Sequence, residues 1–498
     1  MNAKKIIIRL AMTLFIVMGG IAAKNTAENV SCKQRRDQAR QEQKSGNYKD
    51  AYKLFRKLAL DPGNNQEKVG QDLDSAVSCL QKLGRRNEID DFREKVIEVH
   101  AENWRLLMAA AQSYIRGQHY GFMIAGKFLR GSHRGGGRRV NALERDRIRS
   151  LQLMDQAVKH AQGDKDSKGA AADLCLKYAG MLQSYRGYQQ AWRLQYLSDL
   201  SKLPDYEKGY GYYYGGGNIG APVDPEGTPV FHLLPKSYEK AATDGERWRW
   251  LLMQAMELDP NRKNEALTRF ASFLHQQFGC QTMARYGRYF YTRQADDEKK
   301  DESGTYALHT LKEVETIAKL ATGIKRFNLP DEFNFIRIFQ TIADNPKTGR
   351  GEAALNTLAK IFENRRQYDK AAGYWKQSIR EYGAGHKNWK QKKVDQILNN
   401  WGQFEPVMTQ PADKGATIEY RFRNGTDVSF EAQKIDVRTL LADVKAYLKS
   451  NPGKLDWNKI NINNIGYRLV QGKADKYLGE KVASWSLPLK PRKMHFNK

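Results

Sequence analysis

Nine histidines punctuate this 498-residue chain, at His100, His119, His133, His160, His232, His275, His309, His386 and His495. No two stand at i, i+4 and none sits beside a cysteine pair, so the spacing that lets two imidazoles share a zinc ion is missing. The four cysteines, Cys32, Cys79, Cys175 and Cys280, are far apart in sequence. The chain has no G-x-x-x-x-G-K-[ST] phosphate loop, no G-x-S-x-G nucleophile elbow and no H-E-x-x-H helix. Carboxylates fall in mixed charged runs such as Asp296-Asp-Glu-Lys-Lys-Asp-Glu302, which read as solvated surface. The expectation is a non-enzyme with no catalytic residue, no metal site and no cofactor.

Two glycine-rich stretches offer binding chemistry instead. In the first, 131–139, glycines are interspersed with Arg134, Arg138 and Arg139, a composition that suits a solvated basic loop or an anion cradle. A helix start is expected just after it, at Asn141. The second, 209–229, carries Tyr210, Tyr212, Tyr213 and Tyr214. Gly215, Gly217 and Gly220 there spell G-x-G-x-x-G, but a dinucleotide site needs a strand before and a helix after it. Pro222 and Pro225 block that helix, so the reading is a Tyr/Gly surface loop for a protein or carbohydrate contact. Together Tyr210, Tyr212, Tyr213, Tyr214, Arg134, Arg138 and Arg139 form the candidate binding surface.

These residues need a scaffold, and the chain is long enough for two or three domains. At 40% hydrophobic and 11% aromatic it can bury cores. A net charge of +27 predicts attraction to anionic surfaces, including an anionic envelope polymer. No nucleic-acid motif accompanies that charge, so no nucleic-acid partner is expected. Lys4, Lys5 and Arg9 precede an apolar run from Leu10 to Ile21, with Gly20-Ile21-Ala22 as a small-x-small cleavage pattern. This is the layout of a secretory signal peptide over 1–23, and membrane contact is expected only if it stays uncleaved. Export permits disulfides, yet four cysteines are no framework, and the three pairings they allow are left open.

The body, 24–400, reads as an irregular tetratricopeptide (TPR)-like α-α superhelix. From Glu352 to Gly385, Leu355, Leu358, Ala359, Phe362, Tyr368, Ala371, Trp375 and Ser378 fall at the large and small positions of one repeat. Small residues let two helices approach and bulky ones fill the gaps between them. Fainter copies lie at Gly46–Pro62, at Trp104, Leu107 and Ala111, at Tyr188 and Ala191, and at Ala255–Asn261, unevenly spaced against a usual period of about 34 residues.

From about Trp401 the pattern changes to a small α+β module over 401–498. Asn424-Gly425 separates two alternating runs, Thr417–Arg423 and Thr426–Ala432, a strong hairpin signal. A helix is expected over Val437–Lys449, stopped by Ser450-Asn-Pro-Gly453, followed by strands at Ile465–Val470 and Lys481–Leu487.

Several strings carry a family resemblance: Gly402-Gln-Phe-Glu-Pro-Val-Met-Thr-Gln-Pro411, Asn464–Val470, Leu489-Lys-Pro-Arg492, Glu144-Arg-Asp-Arg147, the Tyr212-Tyr-Tyr-Gly-Gly-Gly loop with Gly220-Ala-Pro-Val-Asp224, and Asp244-Gly-Glu-Arg-Trp-Arg-Trp250. In these the chain resembles the N-terminal region of large bacterial alpha-2-macroglobulin-like proteins. The resemblance implies a secreted or periplasmic protein whose helical part precedes β-sandwich domains, the complete protein capturing proteases. Many members use a Cys-x-Glu-Gln thioester, and none of the four cysteines here fits that pattern. The expected function is an exported, non-enzymatic scaffold that binds a protein partner, proteases being reached through the complete protein. An independent envelope TPR adaptor and a peptidoglycan- or carbohydrate-binding protein are the alternatives.

Overall fold

The computed structural model describes residues 32–161, 168–184, 190–209, 220–280, 307–345, 349–406, 410–411, 414–460 and 475–491. The signal-like segment, Tyr188, the four tyrosines Tyr210, Tyr212, Tyr213 and Tyr214, Gly215, Gly217 and the strand expected at Ile465–Val470 lie outside them. The chain is mainly helical and forms two compact units, 1–365 and 366–498. Among the described residues no helix is long and apolar enough to cross a membrane.

The first unit is an irregular TPR-like array. It runs α1 (32–44), α2 (Tyr48–Ala59), α3 (Val69–Lys82), α4 (Ile89–Val99) and α5 (Trp104–Ile115). A sheet insertion follows, with β1 (Tyr120–Ile124), β2 (Lys127–Arg130) and β3 (Arg138–Asn141). Then come α6 (Leu143–Ala161), α7 (Lys168–Gln183), α8 (Gln190–Arg193) and β4 (Glu207–Lys208). The unit continues through α9 (Asp244–Leu258), α10 (Lys263–Phe278), β5 (Glu315–Leu320), β6 (Gly323–Asn328), α11 (Phe335–Ala343) and α12 (Gly351–Asn364).

Each long helix packs mainly on its near neighbours in sequence: α2 on α3, α3 on α5, α5 on α6, α6 on α7, α7 on α9, and α10 through α11 to α12. This is how a repeat array builds a continuous core. The reason is visible in α2, which buries Ala51, Tyr52, Phe55, Leu58 and Ala59 on one stripe. Helix starts are fixed by side chains: Asn103 caps α5, Thr243 caps α9 and Asn334 caps α11. As the sequence predicts, α9 stops before Pro260 and a new helix follows at once. At the N-terminal end the Arg36 guanidinium donates twice to Asp72, both at 2.7 Å, and once to Asn64 at 2.9 Å, tying α1 to α3.

The sheet between α5 and α6 was not legible as strands. It is four-stranded and antiparallel, in the order β2-β1-β3-β4. Ala125 and Gly126 close the first hairpin, both with positive φ (46° and 76°), which suits the twist of paired strands. The helix expected at Asn141 begins at Leu143, because Asn141 still belongs to β3 and its side-chain oxygen accepts from the Leu143 amide at 3.2 Å. A second hairpin, β5–β6, was likewise unread.

The second unit contains α13 (Tyr368–Tyr382), α14 (Trp389–Leu398), β7 (Trp401–Phe404), β8 (Tyr420–Arg423), β9 (Asp427–Ile435), α15 (Val437–Lys449), α16 (Trp457–Ile460) and β10 (Leu478–Pro488). The repeat expected at 352–385 forms two helices that bury Leu355, Leu358, Ala359 and Phe362 on α12 and Ala371, Trp375 and Ser378 on α13, but each packs mainly on another neighbour, α12 on α11 and α13 on α14. The division between the units falls between these helices, and the change of pattern near 401 lies inside the second unit.

The Asn424-Gly425 hairpin is corrected. β8 pairs with β7, and β9 pairs with β10, so the two runs flanking Asn424-Gly425 go to different partners. Asn424 takes φ +62°, but Gly425 lacks the positive φ that a type I′ turn needs. The Asn424 amide instead donates to the carbonyls of Ile397 and Asn399 at 2.8 and 3.1 Å, fastening the turn to the end of α14. α15 spans Val437–Lys449 as expected, and β10 contains the expected strand at Lys481–Leu487.

All four cysteines are free and buried. Burial pushes the Cys175 thiol up to about 12, far from the thiolate form needed for exchange.

Candidate binding surface

The sequence strings Glu144–Arg147 and Asp244–Trp250 lie about a hundred residues apart, and the fold brings them together. Asp244 opens α9 with its carboxylate fully buried. It accepts from the Ser198 amide at 3.0 Å and from the Ser198 hydroxyl at 2.5 Å. Arg147 of α6 and Arg247 of α9 each lie 3.3 Å away, and Arg193 of α8 lies 3.7 Å away. Glu144 approaches Arg147 at 3.3 Å and Arg193 at 3.4 Å. Three guanidinium groups thus share two carboxylates. Burial and the neighbouring Arg193 charge hold Arg147 below its usual value, although Glu144 and Asp244 oppose this. A small cavity of about 260 Å³ opens beside the network, lined by Glu144, Ile148, Arg193, Leu197, Ser198 and Lys202 among others.

Gly245 follows Asp244 for a steric reason. A Cβ there would stand 2.1 Å from Nδ1 of His232, whose ring lies flat against the start of α9. His232 is buried, and burial, with a contribution from Arg249, lowers it to about 4 from 6.5. The fold therefore holds this imidazole neutral. An unfolded histidine binds its proton below about 6.5 while the native one waits until about 4, so stability is complete above pH 6.5 and falls as pH drops toward 4. Integrated over that window the loss is about 3 kcal/mol. Urea titrations at pH 7 and pH 4.5 measure it, and the pH slope between them flattens in His232→Asn if this group is responsible.

A second buried network anchors the sheet. Arg130, at the end of β2, donates to both oxygens of Asp146 on α6, at 2.7 and 2.9 Å, and its Nε donates to Asp90 on α4 at 3.0 Å. His119 reaches the same Asp146 carboxylate through Nδ1 at 2.8 Å. Burial works against the charged guanidinium, but its bonds to Asp146 and Asp90 outweigh that and raise Arg130.

The sheet is where the two glycine-rich stretches meet. β3 contains Arg138 and Arg139, and it pairs with β4 through Val140–Lys208 and Asn141–Glu207. The Gly209 amide donates to the Arg139 carbonyl at 3.3 Å, so the Tyr/Gly stretch begins beside Arg139. Its far end is fixed by Gly220, which has φ +81° and no room for a Cβ against the Leu320 carbonyl. Trp192 Nε1 donates to the Gly220 carbonyl at 2.8 Å, and Ala221 bridges to Leu320 of β5. Gly220 thus serves close packing, which accounts for the one described glycine of the G-x-G-x-x-G string.

Of the candidate surface residues, Arg134, Arg138 and Arg139 are exposed and sit on one loop and strand; Tyr210, Tyr212, Tyr213 and Tyr214 are outside the described residues. His133, which the surface reading omitted, lies with its ring 5.8 Å from Phe122 of β1. His119, Arg130, Arg193, Ser198 and His232 were also missed. Only the Ala125-Gly126 turn between two apolar runs could have revealed the sheet that positions the arginines. Among the described residues no cluster of His, Cys, Asp and Glu is arranged to hold a metal ion.

No protein-family model matches the chain, and no curated protein matches it. Among solved structures, it is similar to the assembly chaperone of RpL4 (Acl4), residues 1–338, at 11% identity, over 74% of this chain and 95% of that one, with a TM-score of 0.25. At that score the likeness carries no argument about fold or function.

Proposed function

We propose that the chain is an exported, non-enzymatic scaffold that holds a protein partner, as the N-terminal part of a bacterial alpha-2-macroglobulin-like protease inhibitor would. The export half rests on the signal-peptide layout of residues 1–23. The partner-binding half rests on one observation above the others, the apolar surface that the second unit leaves open.

In the β9–β10 ribbon, Val428, Phe430 and Ala432 stand opposite Leu487, Trp485 and Ala483 and share one face. Phe430 is buried under Phe404, Tyr420 and Trp485, but Trp485, Leu487 and Phe404 themselves remain exposed. α15 buries Leu440 and leaves Val437, Leu441 and Leu448 in water. Trp457 is 69% exposed. Large apolar side chains left in water on one face of a ribbon mark an interaction site, and a two-stranded ribbon is marginal without something packed on it.

The test is a photo-crosslinking amino acid placed at Trp485 or at Trp457 of the full chain, expressed in its own cells. The same protein should be captured from both positions and not from the exposed Lys392. Adducts that are absent, or equally abundant from Lys392, contradict the reading. The captured protein's identity separates an inhibitor's arm from a free-standing adaptor.

A further inference from the structure

We propose that the open edge of β10 pairs antiparallel with the same edge of a second copy of this chain, joining two β9–β10 ribbons into one four-stranded sheet about a two-fold axis. This pairing uses the edge of the ribbon rather than its apolar face, and it stands apart from the scaffold reading.

Backbone chemistry says what fits the edge. β10 is the longest described strand, and its ladder to β9 is regular from Ala483 to Pro488. β9 is its one strand partner among the described residues. In an antiparallel ladder every second residue turns its N–H and C=O away from the partner strand, so β10 presents a row of donors and acceptors on its outer side. Gly479–Pro488 are all exposed. Such a row is matched by another extended backbone, because a helix has already spent its own backbone groups internally.

The edge is also unguarded. Natural edge strands are kept short, or carry charge or proline. β2, β4 and β7 have four residues or fewer, and β6 carries Lys325 and Arg326. From Val482 to Leu487, by contrast, the sequence Val-Ala-Ser-Trp-Ser-Leu has neither charge nor proline. Glu480 and Lys481 stand before this run and pair with Lys434 and Glu431 of β9. The irregularities of the ladder fall there too, between Leu478 and Ala483, and leave the later residues in regular register.

The strand matches itself. Ala483, Trp485 and Leu487 lie on the apolar face of the ribbon, and Ser484 and Ser486 on the opposite one, where the Ser486 hydroxyl is hydrogen-bonded to that of Ser429. A two-fold axis normal to the sheet keeps each face on its own side, so apolar residues meet apolar ones and serines meet serines. The joined sheet has four strands, where a lone two-stranded ribbon is marginal. A foreign strand would need the same alternation and the same uncharged run; a second copy has both.

The run Val482–Leu487 makes an interface well below the roughly 1,600 Å² of a standard stable complex, so the dissociation constant is on the order of 10 μM. Each copy carries a net charge of +27, so repulsion opposes pairing and added salt tightens it.

Sedimentation velocity of the full chain between about 1 and about 100 μM should show monomer passing to dimer, more completely at higher salt. Over the same range amide hydrogen exchange within 483–487 should slow. The double variant Ser484→Lys, Ser486→Lys sets lysine against lysine whether the axis falls at Ser484, Trp485 or Ser486, and should weaken the dimer by about tenfold or more. The control Ser429→Lys, Gln433→Lys adds the same charge to the same face of β9, away from the edge, and should weaken it by less than about twofold. Circular dichroism confirms that both variants fold. Four results overturn the proposal: a monomer at every concentration, equal weakening by both variants, a dimer in which exchange within 483–487 is unchanged, or exchange there already at its slowest in the dilute monomer, the edge then being covered within the chain. A monomeric chain that captures a different protein in cells, from a photo-crosslinking amino acid at Ser484, would assign the edge to a foreign strand instead. A monomer in solution leaves the crosslinking expected at Trp457 untouched, so failure here and failure of the scaffold reading are told apart.

Discussion

Asp244→Ala lowers the stability of the first unit by about 3–5 kcal/mol, the range for removing one partner from a buried ion network. The magnitude follows from what remains. The alanine leaves Arg147, Arg193 and Arg247 around a largely buried site, and Glu144 alone cannot balance them. It also leaves the Ser198 amide and hydroxyl without their acceptor, in a segment whose path depends on it. The N-terminus of α9 loses a carboxylate where the helix dipole favours one. Asp244→Asn keeps the shape but turns one acceptor into a donor facing cations, so its cost is of the same order. Urea denaturation followed by far-UV circular dichroism reads the change as a shift in midpoint. A loss below about 1 kcal/mol would mean that the arginines relax to solvent and the network is not a structural joint.

The second large effect is expected from Trp375→Ala in the second unit, at about 3–5 kcal/mol. Trp375 is fully buried on α13, and its ring meets Trp389 of α14 edge to face at 5.3 Å. Trp389 is in turn seated by Gly385, with φ +74° and no space for a Cβ beneath the indole. Lys390, one residue on, is wholly buried with its ammonium donating to the Ser378 carbonyl at 3.4 Å. Removing the indole opens a cavity under a helix whose start is already committed to a buried lysine, so collapse is hindered. Protease susceptibility near 383–388, compared with that of the parent protein, localises the loss. Trp375→Phe should recover a large part of it, because the edge-to-face contact survives.

The helices were legible because their burial is local. Leu355, Leu358, Ala359 and Phe362 repeat at three and four, and the caps and Pro260 mark ends within a few residues. The sheet at 120–141 was hidden for the opposite reason. Its strands are four and five residues long, and their registry depends on Arg130 reaching Asp146 and Asp90, contacts that no local window contains. Asn424-Gly425 shows the same limit from the other side. The dipeptide fits a hairpin, but the long strand β10 offers β9 a better partner, and tertiary pairing overrides the local turn. The candidate surface was half readable. Arg134, Arg138 and Arg139 stood out by composition, whereas Phe122, whose ring Arg139 approaches, needed the register of a sheet. Asp244 and Glu144 were noticed as unusual strings, and only the fold shows that they meet.

On the proposed function, another protein covers the open apolar face of the second unit in the cell. Hydroxyl-radical footprinting of Trp457 and Trp485, in living cells and in the purified chain, tests it most directly. The account predicts that both indoles oxidise readily in the purified chain and are several-fold protected in cells, while the buried Trp248 and Trp375 stay unreactive in both. Equal oxidation of Trp457 and Trp485 in the two settings would contradict it.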